Sequence, residues 1–173
     1  MPNQGEFEAF YNDHYGAISR YVARRVPASS HDELVAAAFV VAWQKFATVA
    51  SPSLAWLYRI ASYEVAHERR RLGRQPQVVE LNDLHLIDTA PLEEVFDVSK
   101  AFSQLSESDA ELLRLVYWEN LSRNEIAEVF GLSVNAVNVR YHRALGRLSG
   151  ALDRLASVAG ADQSTNPSPK ENS

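Results

Sequence analysis

The sequence predicts an all-α protein of two small helical domains, a three-to-four-helix unit and then a helix-turn-helix unit, joined by a flexible linker. Three observations carry this. Apolar residues recur at three- and four-residue steps through most of the chain. Ser, Asp and Glu stand where those stretches begin, and Gly or Pro where they end. No segment alternates as a strand would, and no internal repeat is present. The 173 residues suffice for one medium domain or two small ones, each with a core.

The elements follow in order. Phe7, Phe10, Tyr11, Tyr15, Ile18, Tyr21 and Val22 share one stripe of a helix from about Glu6 to Arg25, which Val26-Pro27 ends. A second helix is expected to open with Ser29 or Ser30 as cap, Asp32 and Glu33 in its first turn, and Leu34, Val35, Ala38, Phe39, Ala42, Trp43 and Phe46 along its length. Ala47 to Ser53, with Ser51-Pro52-Ser53, reads as a loop. A third helix carries Trp56, Leu57, Ile60, Ala61 and Val65 inward and ends in an arginine run. Trp43 and Trp56 are expected to pack in the core. Residues 75–90 lack sustained periodicity and form the linker. Pro91 suits the first turn of a helix through Leu92, Val95, Phe96 and Phe102. Ser106 and Asp109 resemble a capping box ahead of Leu112, Leu113, Val116 and Tyr117, and Ser122 with Glu125 forms a full one ahead of Ile126, Ala127, Val129 and Phe130. Gly131 stops that helix, and Ser133 caps the last, which carries Val134, Val137, Tyr141, Leu145 and Leu148. The domains are therefore expected at 1–74 and 91–155, with a disordered tail over 156–173.

The formal charge of −5 argues against a nucleic-acid binder, but its distribution reverses the argument. Residues 1–74 carry nine basic and seven acidic side chains, and 75–90 carry Glu80, Asp83 and Asp88 with no base. Residues 91–155 carry seven basic and ten acidic. Within the units the arginines cluster: Arg59, Arg69, Arg70, Arg71 and Arg74 near the end of the first, Arg140, Arg143, Arg147 and Arg154 near the end of the second. Two local basic faces in an acidic chain fit two anionic contacts, each weak on free DNA by itself.

The most specific local signal runs from Arg123 to Leu148. Small Ala127 faces a partner helix, Gly131 supplies a turn where positive φ is cheap, and Val137 packs the second helix back onto the first. The last helix then offers Asn135, Ala136, Asn138, Val139, Arg140, His142 and Arg143. Asn pairs with adenine edges, Arg with guanine or phosphate, and Val or Ala with a thymine methyl.

With those residues in place, the chain resembles the extracytoplasmic-function (ECF) type of bacterial RNA polymerase sigma factor over about residues 6–150. Four stretches carry the resemblance: Phe7-Glu8-Ala9-Phe10-Tyr11 through Tyr21; Asp32-Glu33-Leu34-Val35 through Phe39-Val40-Val41-Ala42-Trp43; Trp56-Leu57-Tyr58-Arg59-Ile60-Ala61 with the arginine run; and Leu121-Ser122 through Arg147-Leu148. The resemblance implies a first domain that binds core polymerase at the β′ clamp and opens the −10 element, and a second that reads the −35 duplex; core polymerase, through its β′ clamp and β subunit, and promoter DNA are the implied partners. The polymerase contact would fall on Asp32, Glu33, Val35, Ala36, Phe39, Val40 and Gln44. Capture of the −10 strand would fall on Thr48, Ser51, Ser53, Arg59, Tyr63, His67, Arg70 and Arg71. The −35 reader would be Ser133, Asn135, Ala136, Asn138, Val139, Arg140, His142 and Arg143. An anti-sigma factor is a further implied partner.

Departures from the family pattern stand at Ala36 and Ala37, where a polar pair is usual, at Asn138, where a base is usual, and at Val139, where a small polar residue is usual. The linker, which in the family threads near the polymerase active-site cleft, spans up to about 55 Å at ~3.5 Å per residue. Its acidity fits imitation of a polyanion and simple solvation equally well.

No catalytic set emerges. His14, His31, His67, His85 and His142 fall on different elements, the seven glycines form no phosphate loop, and there is no cysteine for thiolate chemistry. No catalytic residue, metal site or cofactor is expected, nor any membrane insertion. The start lacks a basic-then-apolar signal, and the apolar run Leu34 to Trp43 is too short to span a bilayer, so a cytoplasmic protein is expected. The alternative reading is a stand-alone helix-turn-helix regulator whose first unit senses or dimerises.

Overall fold

A computed structural model describes residues 3–73 and 92–162, with side chains from residue 97 to 161 in the second stretch. The elements are α1 (Gln4–Ala23), α2 (Ala28–Phe46), α3 (Leu54–Arg71), α4 (Leu92–Ser103), α5 (Glu107–Tyr117), α6 (Arg123–Phe130) and α7 (Val134–Asp162). The linker 75–90, Pro91, the side chains of Leu92, Val95 and Phe96, and residues 163–173 lie outside the described residues.

Helices α1 to α3 form the first unit. The Asn3 side chain accepts the Gly5 N–H at 3.1 Å and starts α1, whose inward face is Phe10, Ile18, Tyr21 and Val22. The start of α2 differs from expectation. It begins at Ala28 behind Pro27, whose carbonyl accepts the Ser30 N–H at 2.9 Å, and no side chain caps it. Proline presets the turn, so the helix starts early and the Ser30 hydroxyl is released for another task. It donates to the buried Glu68 carboxylate of α3.

Glu68 also takes two hydrogen bonds of 2.7 Å from Arg71. The Arg71 hydrogen bonds first, and the Ser30 hydroxyl second, hold its carboxyl down at about 2. A depressed carboxylate stabilises the fold above its unfolded value and loses that contribution as protons bind. The expected result is that acid unfolding between about pH 4.5 and about 2 is less steep in Glu68→Gln, which is also less stable at neutral pH; thermal melts across that pH range check it.

Helix α3 is capped by Ser53, which accepts the Trp56 N–H at 3.0 Å, and buries Leu57, Ile60, Ala61 and Val65 as its period requires. Of the two tryptophans, Trp56 packs against the core as expected and Trp43 does not. Trp56 is half-buried, and Trp43 is exposed at the rim, edge-on to Phe7 with ring centroids 4.9 Å apart. Ala38 and Ala42 occupy the centre of the α2 face, which leaves Trp43 one position outside it.

In the second unit Ser106 accepts the Asp109 N–H at 3.2 Å, but only half of the expected box forms. The Asp109 carboxylate pairs instead with Arg147 of α7, a charge-assisted bond stronger than the return bond to a backbone N–H. Ser122 and Glu125 do form a reciprocal box, at 3.2 and 2.7 Å. Gly131 ends α6 at φ 64°, ψ 37°, the left-handed conformation that the sequence assigns to it. Ser133 caps α7, accepting the Ala136 N–H at 3.1 Å.

Helix α7 runs on to Asp162, so residues 156–162 are helical where the sequence predicts a disordered tail. Alanines 156 and 159 favour helix, the Ser157 hydroxyl donates back to the Asp153 carbonyl at 2.9 Å, and one glycine at 160 costs only about 1 kcal/mol. The two units also pack on each other, α3 against α6, with one continuous cluster of buried residues.

Candidate nucleic-acid interface

Helices α6 and α7 make the expected helix-turn-helix. Ala127 and Val137 are buried at their crossing, and Ala144, two turns further along the same face, holds α7 to the unit. This anchoring turns the other faces of α7 outward. Asn135, Val139, Arg140, His142 and Arg143 are exposed, while Ala136 and Asn138 are half-buried. The Ser133 hydroxyl is spent on the cap. Arg140 and Arg143 form no ion pair among the described residues, whereas Arg147 is tied to Asp109 and Arg154 to Gln104 at 3.3 Å. The basic cluster of α7 thus divides into two outward cations and two structural ones.

Tyr141 joins this surface without any signal in the sequence. Its hydroxyl lies 2.9 Å from that of Tyr117, and the Arg123 guanidinium stacks 3.5 Å from its ring centroid. The hydrogen bond to Tyr141, then burial, raises the Tyr117 hydroxyl above its ordinary value. Arg123 thereby sits at the first turn of α6 beside the exposed face of α7. Its stacking partner lies eighteen residues further along the chain, out of reach of local pattern.

The loop and the outer face of α3 carry the −10 candidates. Thr48 and Ser51 are exposed, and the Thr48 hydroxyl donates to the Lys45 carbonyl at 2.7 Å. Tyr63, 62% exposed, lines up with exposed His67 and Arg70 at helical steps. The other three are engaged within the protein. Arg71 pairs with Glu68. Ser53 caps α3 and donates to Glu128 of α6 at 2.8 Å. The Arg59 guanidinium lies against Gly131, so close that a Cβ there would stand 3.4 Å from two of its nitrogens.

On α2, Asp32, Glu33, Ala36, Val40 and Gln44 are exposed, as an outward face requires. Val35 and Phe39 are a correction: both are buried, because the helical period sets them beside Leu34, Ala38 and Ala42 against α1 and α3. They hold the face in place rather than form it. Exposed Tyr11, Tyr15 and Trp43 extend it as an aromatic strip, where the apolar period of α1 predicts an inward placement for both tyrosines. Among the described residues no group of three His, Asp or Glu is placed to hold a metal ion, and no helix is long and apolar enough to cross a membrane.

Comparison with known proteins covers both units. The family described as "Sigma-70, region 4" matches residues 96–148, from α4 through the first half of α7. The ECF RNA polymerase sigma factor SigL of Mycobacterium tuberculosis is 25% identical over 157 residues, 85% of this chain and 89% of SigL. Among solved structures, CnrH in complex with the cytosolic domain of CnrY superposes with a TM-score of 0.63 at 27% identity, covering 88% of this chain and 91% of that one. The sigma factor RpoE of Bartonella quintana, in complex with the anti-sigma factor NepR, gives 0.60 at 22% identity, covering 86% and 97%, and shares the fold.

Proposed function

Because the chain belongs to the ECF sigma factors, which direct bacterial RNA polymerase to promoters, we propose that its two helical units divide promoter recognition between them, the first (residues 1–74) serving the −10 strand and core polymerase, the second (91–155) the −35 duplex. The observation that carries this is the orientation of α7. Burial of Val137 and Ala144 leaves Asn135, Val139, Arg140, His142 and Arg143 facing solvent on the helix that follows the Gly131 turn. Such a face fits the major groove, where amide and guanidinium groups read base edges.

In the first unit, exposed Thr48 and Ser51 supply hydrogen bonds to an unstacked base. Tyr63 supplies a stacking face, and His67 and Arg70 a track for phosphates. The outward face of α2, with Asp32, Glu33, Ala36, Val40 and Gln44, serves the polymerase clamp. Its neighbouring strip of Tyr11, Tyr15 and Trp43 is the kind of apolar surface that a free protein keeps covered. An anti-sigma partner fits that need: RpoE is seen with the anti-sigma factor NepR, and CnrH with the cytosolic domain of CnrY. The protein supplies recognition and binding energy, and the polymerase does the chemistry, in the cytoplasm. The stand-alone regulator is not favoured, since the likeness to SigL runs through the first unit as well as the second.

Run-off transcription with core polymerase on a genomic promoter library tests this reading. A defined set of start sites with shared −10 and −35 sequences is the expected result, and transcription unchanged by the added protein would overturn it. Exchanging residues 47–53 for another loop is expected to change the −10 motif in the same assay while the −35 motif and polymerase binding persist.

A further inference from the structure

The two units meet at a buried cluster of charge that neither the helix-turn-helix nor the α2 face uses. Arg25, at the end of α1, has no exposed surface. Its Nε donates to both oxygens of Glu111 at 3.1 Å, and one terminal nitrogen donates to Glu119 at 2.8 Å. Beside it Arg24 donates to the other Glu119 oxygen at 3.1 Å. The Glu119 side chain is 3% exposed. The Tyr21 hydroxyl adds a bond of 3.3 Å to Glu111. Among the described residues of its own unit the Arg25 guanidinium meets only Tyr21, through a carbonyl at 3.0 Å and a ring 3.7 Å away. Its countercharge therefore comes entirely from α5 and the turn after it.

Around this cluster lie further contacts between the units. Arg69 donates to Glu107 at 2.6 Å, Ser53 to Glu128, and Arg59 covers Gly131. Ser53 and Arg59 are also candidates for the −10 strand.

We propose that the free chain is held closed by an ionic latch, Arg24 and Arg25 on Glu111 and Glu119, and that closure covers the DNA-facing edge of the first unit at Ser53 and Arg59 until a competing partner parts the units. Ion pairs suit a latch better than apolar packing does. A buried pair specifies one arrangement yet adds little net stability, because each charge regains its hydration on separation. One Arg25 nitrogen is buried without a hydrogen bond among the described residues, so even the closed state leaves part of that desolvation uncompensated. Fully buried residues lie in both units, Ile18, Leu57 and Ala61 in one and Leu113, Ile126 and Val137 in the other, and the cluster they form runs across the contact. Parting the units therefore costs apolar burial where α3 meets α6 as well as the ion pairs. Opening releases Arg24, Arg25 and Arg59 together and turns a neutralised edge into a cationic one.

The closure stands on the contacts alone, and only its effect on DNA rests on the −10 reading. The chain has no cysteine, so spin labels can be placed at Asp13→Cys on α1 and Asn124→Cys on α6, both exposed and outside the proposed interfaces. In the full-length chain the latch gives one narrow inter-label distance. Glu111→Gln with Glu119→Gln broadens and lengthens it and tightens binding of a labelled oligothymidine about 10- to 100-fold, the factor by which a mostly closed population masks its open state. Exposed Glu128→Arg moves both readouts in the same direction without touching the buried cluster. Circular dichroism confirms that helix content is kept.

A broad, long distance in the unsubstituted chain overturns the proposal whatever the variants do. So does a folded double variant with the distance and affinity of the unsubstituted chain. A narrow distance in a protein that fails in run-off transcription leaves the latch standing and removes the promoter reading. Productive transcription with a broad distance does the reverse.

Discussion

Arg140→Ala and Arg143→Ala are each expected to weaken binding to a −35 duplex by about 1–3 kcal/mol, roughly 5- to 150-fold, with no loss of helix content. Both side chains are exposed, and neither forms an ion pair among the described residues, so alanine removes nothing that holds the fold. It even favours the helix slightly. Where an arginine meets phosphate, the slope of log affinity against log salt should fall by about 1 per contact. Where it meets a guanine edge, the slope should hold and discrimination at one base pair should relax instead. Anisotropy titrations at several salt concentrations, with each base pair varied, separate the two. Arg147→Ala is the internal control. Its guanidinium is committed to Asp109, so its loss is expected to lower stability and leave the salt slope unchanged. If affinity, slope and base preference all survive the pair of substitutions, recognition lies on another surface.

Why these positions were legible in the sequence, and others were not, follows from the range of the interactions involved. Ser122, Glu125, Gly131 and Ser133 act on backbone groups within four residues, so their spacing is their mechanism, and the structure realises each of them. Outward residues of α7 follow from the buried ones by helical period alone. Long-range partners leave no such trace. Ser30 stands where a cap belongs and serves a carboxylate on another helix. Asp109 stands where a capping acid belongs and is drawn away by Arg147. Arg24 and Arg25 read as an ordinary basic helix end, yet Arg25 is among the most buried residues of the protein, because its two carboxylate partners lie 86 and 94 positions away. The second unit's carboxylates likewise read as acidity that disfavours DNA, when Glu107, Glu111 and Glu119 neutralise arginines of the first. Val35 and Phe39 show the opposite limit. The resemblance placed them in a polymerase contact, and the helical period, which needs no resemblance, places them in the core.

Ile126→Ala is expected to produce the largest loss of stability, and a different signature from the arginine substitutions. Ile126 is fully buried on α6, in one cluster with Leu113, Leu115 and Val137, so truncation removes apolar burial and leaves a cavity worth about 2–5 kcal/mol. A unit of this size is held by only about 0.05–0.15 kcal/mol per residue, so the loss takes much of its stability. At about 4–8 °C per kcal/mol the melting temperature falls by tens of degrees. The reading face of α7 is positioned by what lies beneath it, so −35 binding should vanish as the second unit melts. Below that temperature the exposed residues are untouched, and affinity per folded molecule should return to the wild-type value with the wild-type salt slope. Thermal melts paired with duplex titrations at a cold and a warm temperature check this. A variant that stays weak in the cold would mean that Ile126 shapes the reading surface itself. Ile126→Val, which removes one methylene and costs about 0.5–1.5 kcal/mol, should then fall proportionately between the two in both measurements.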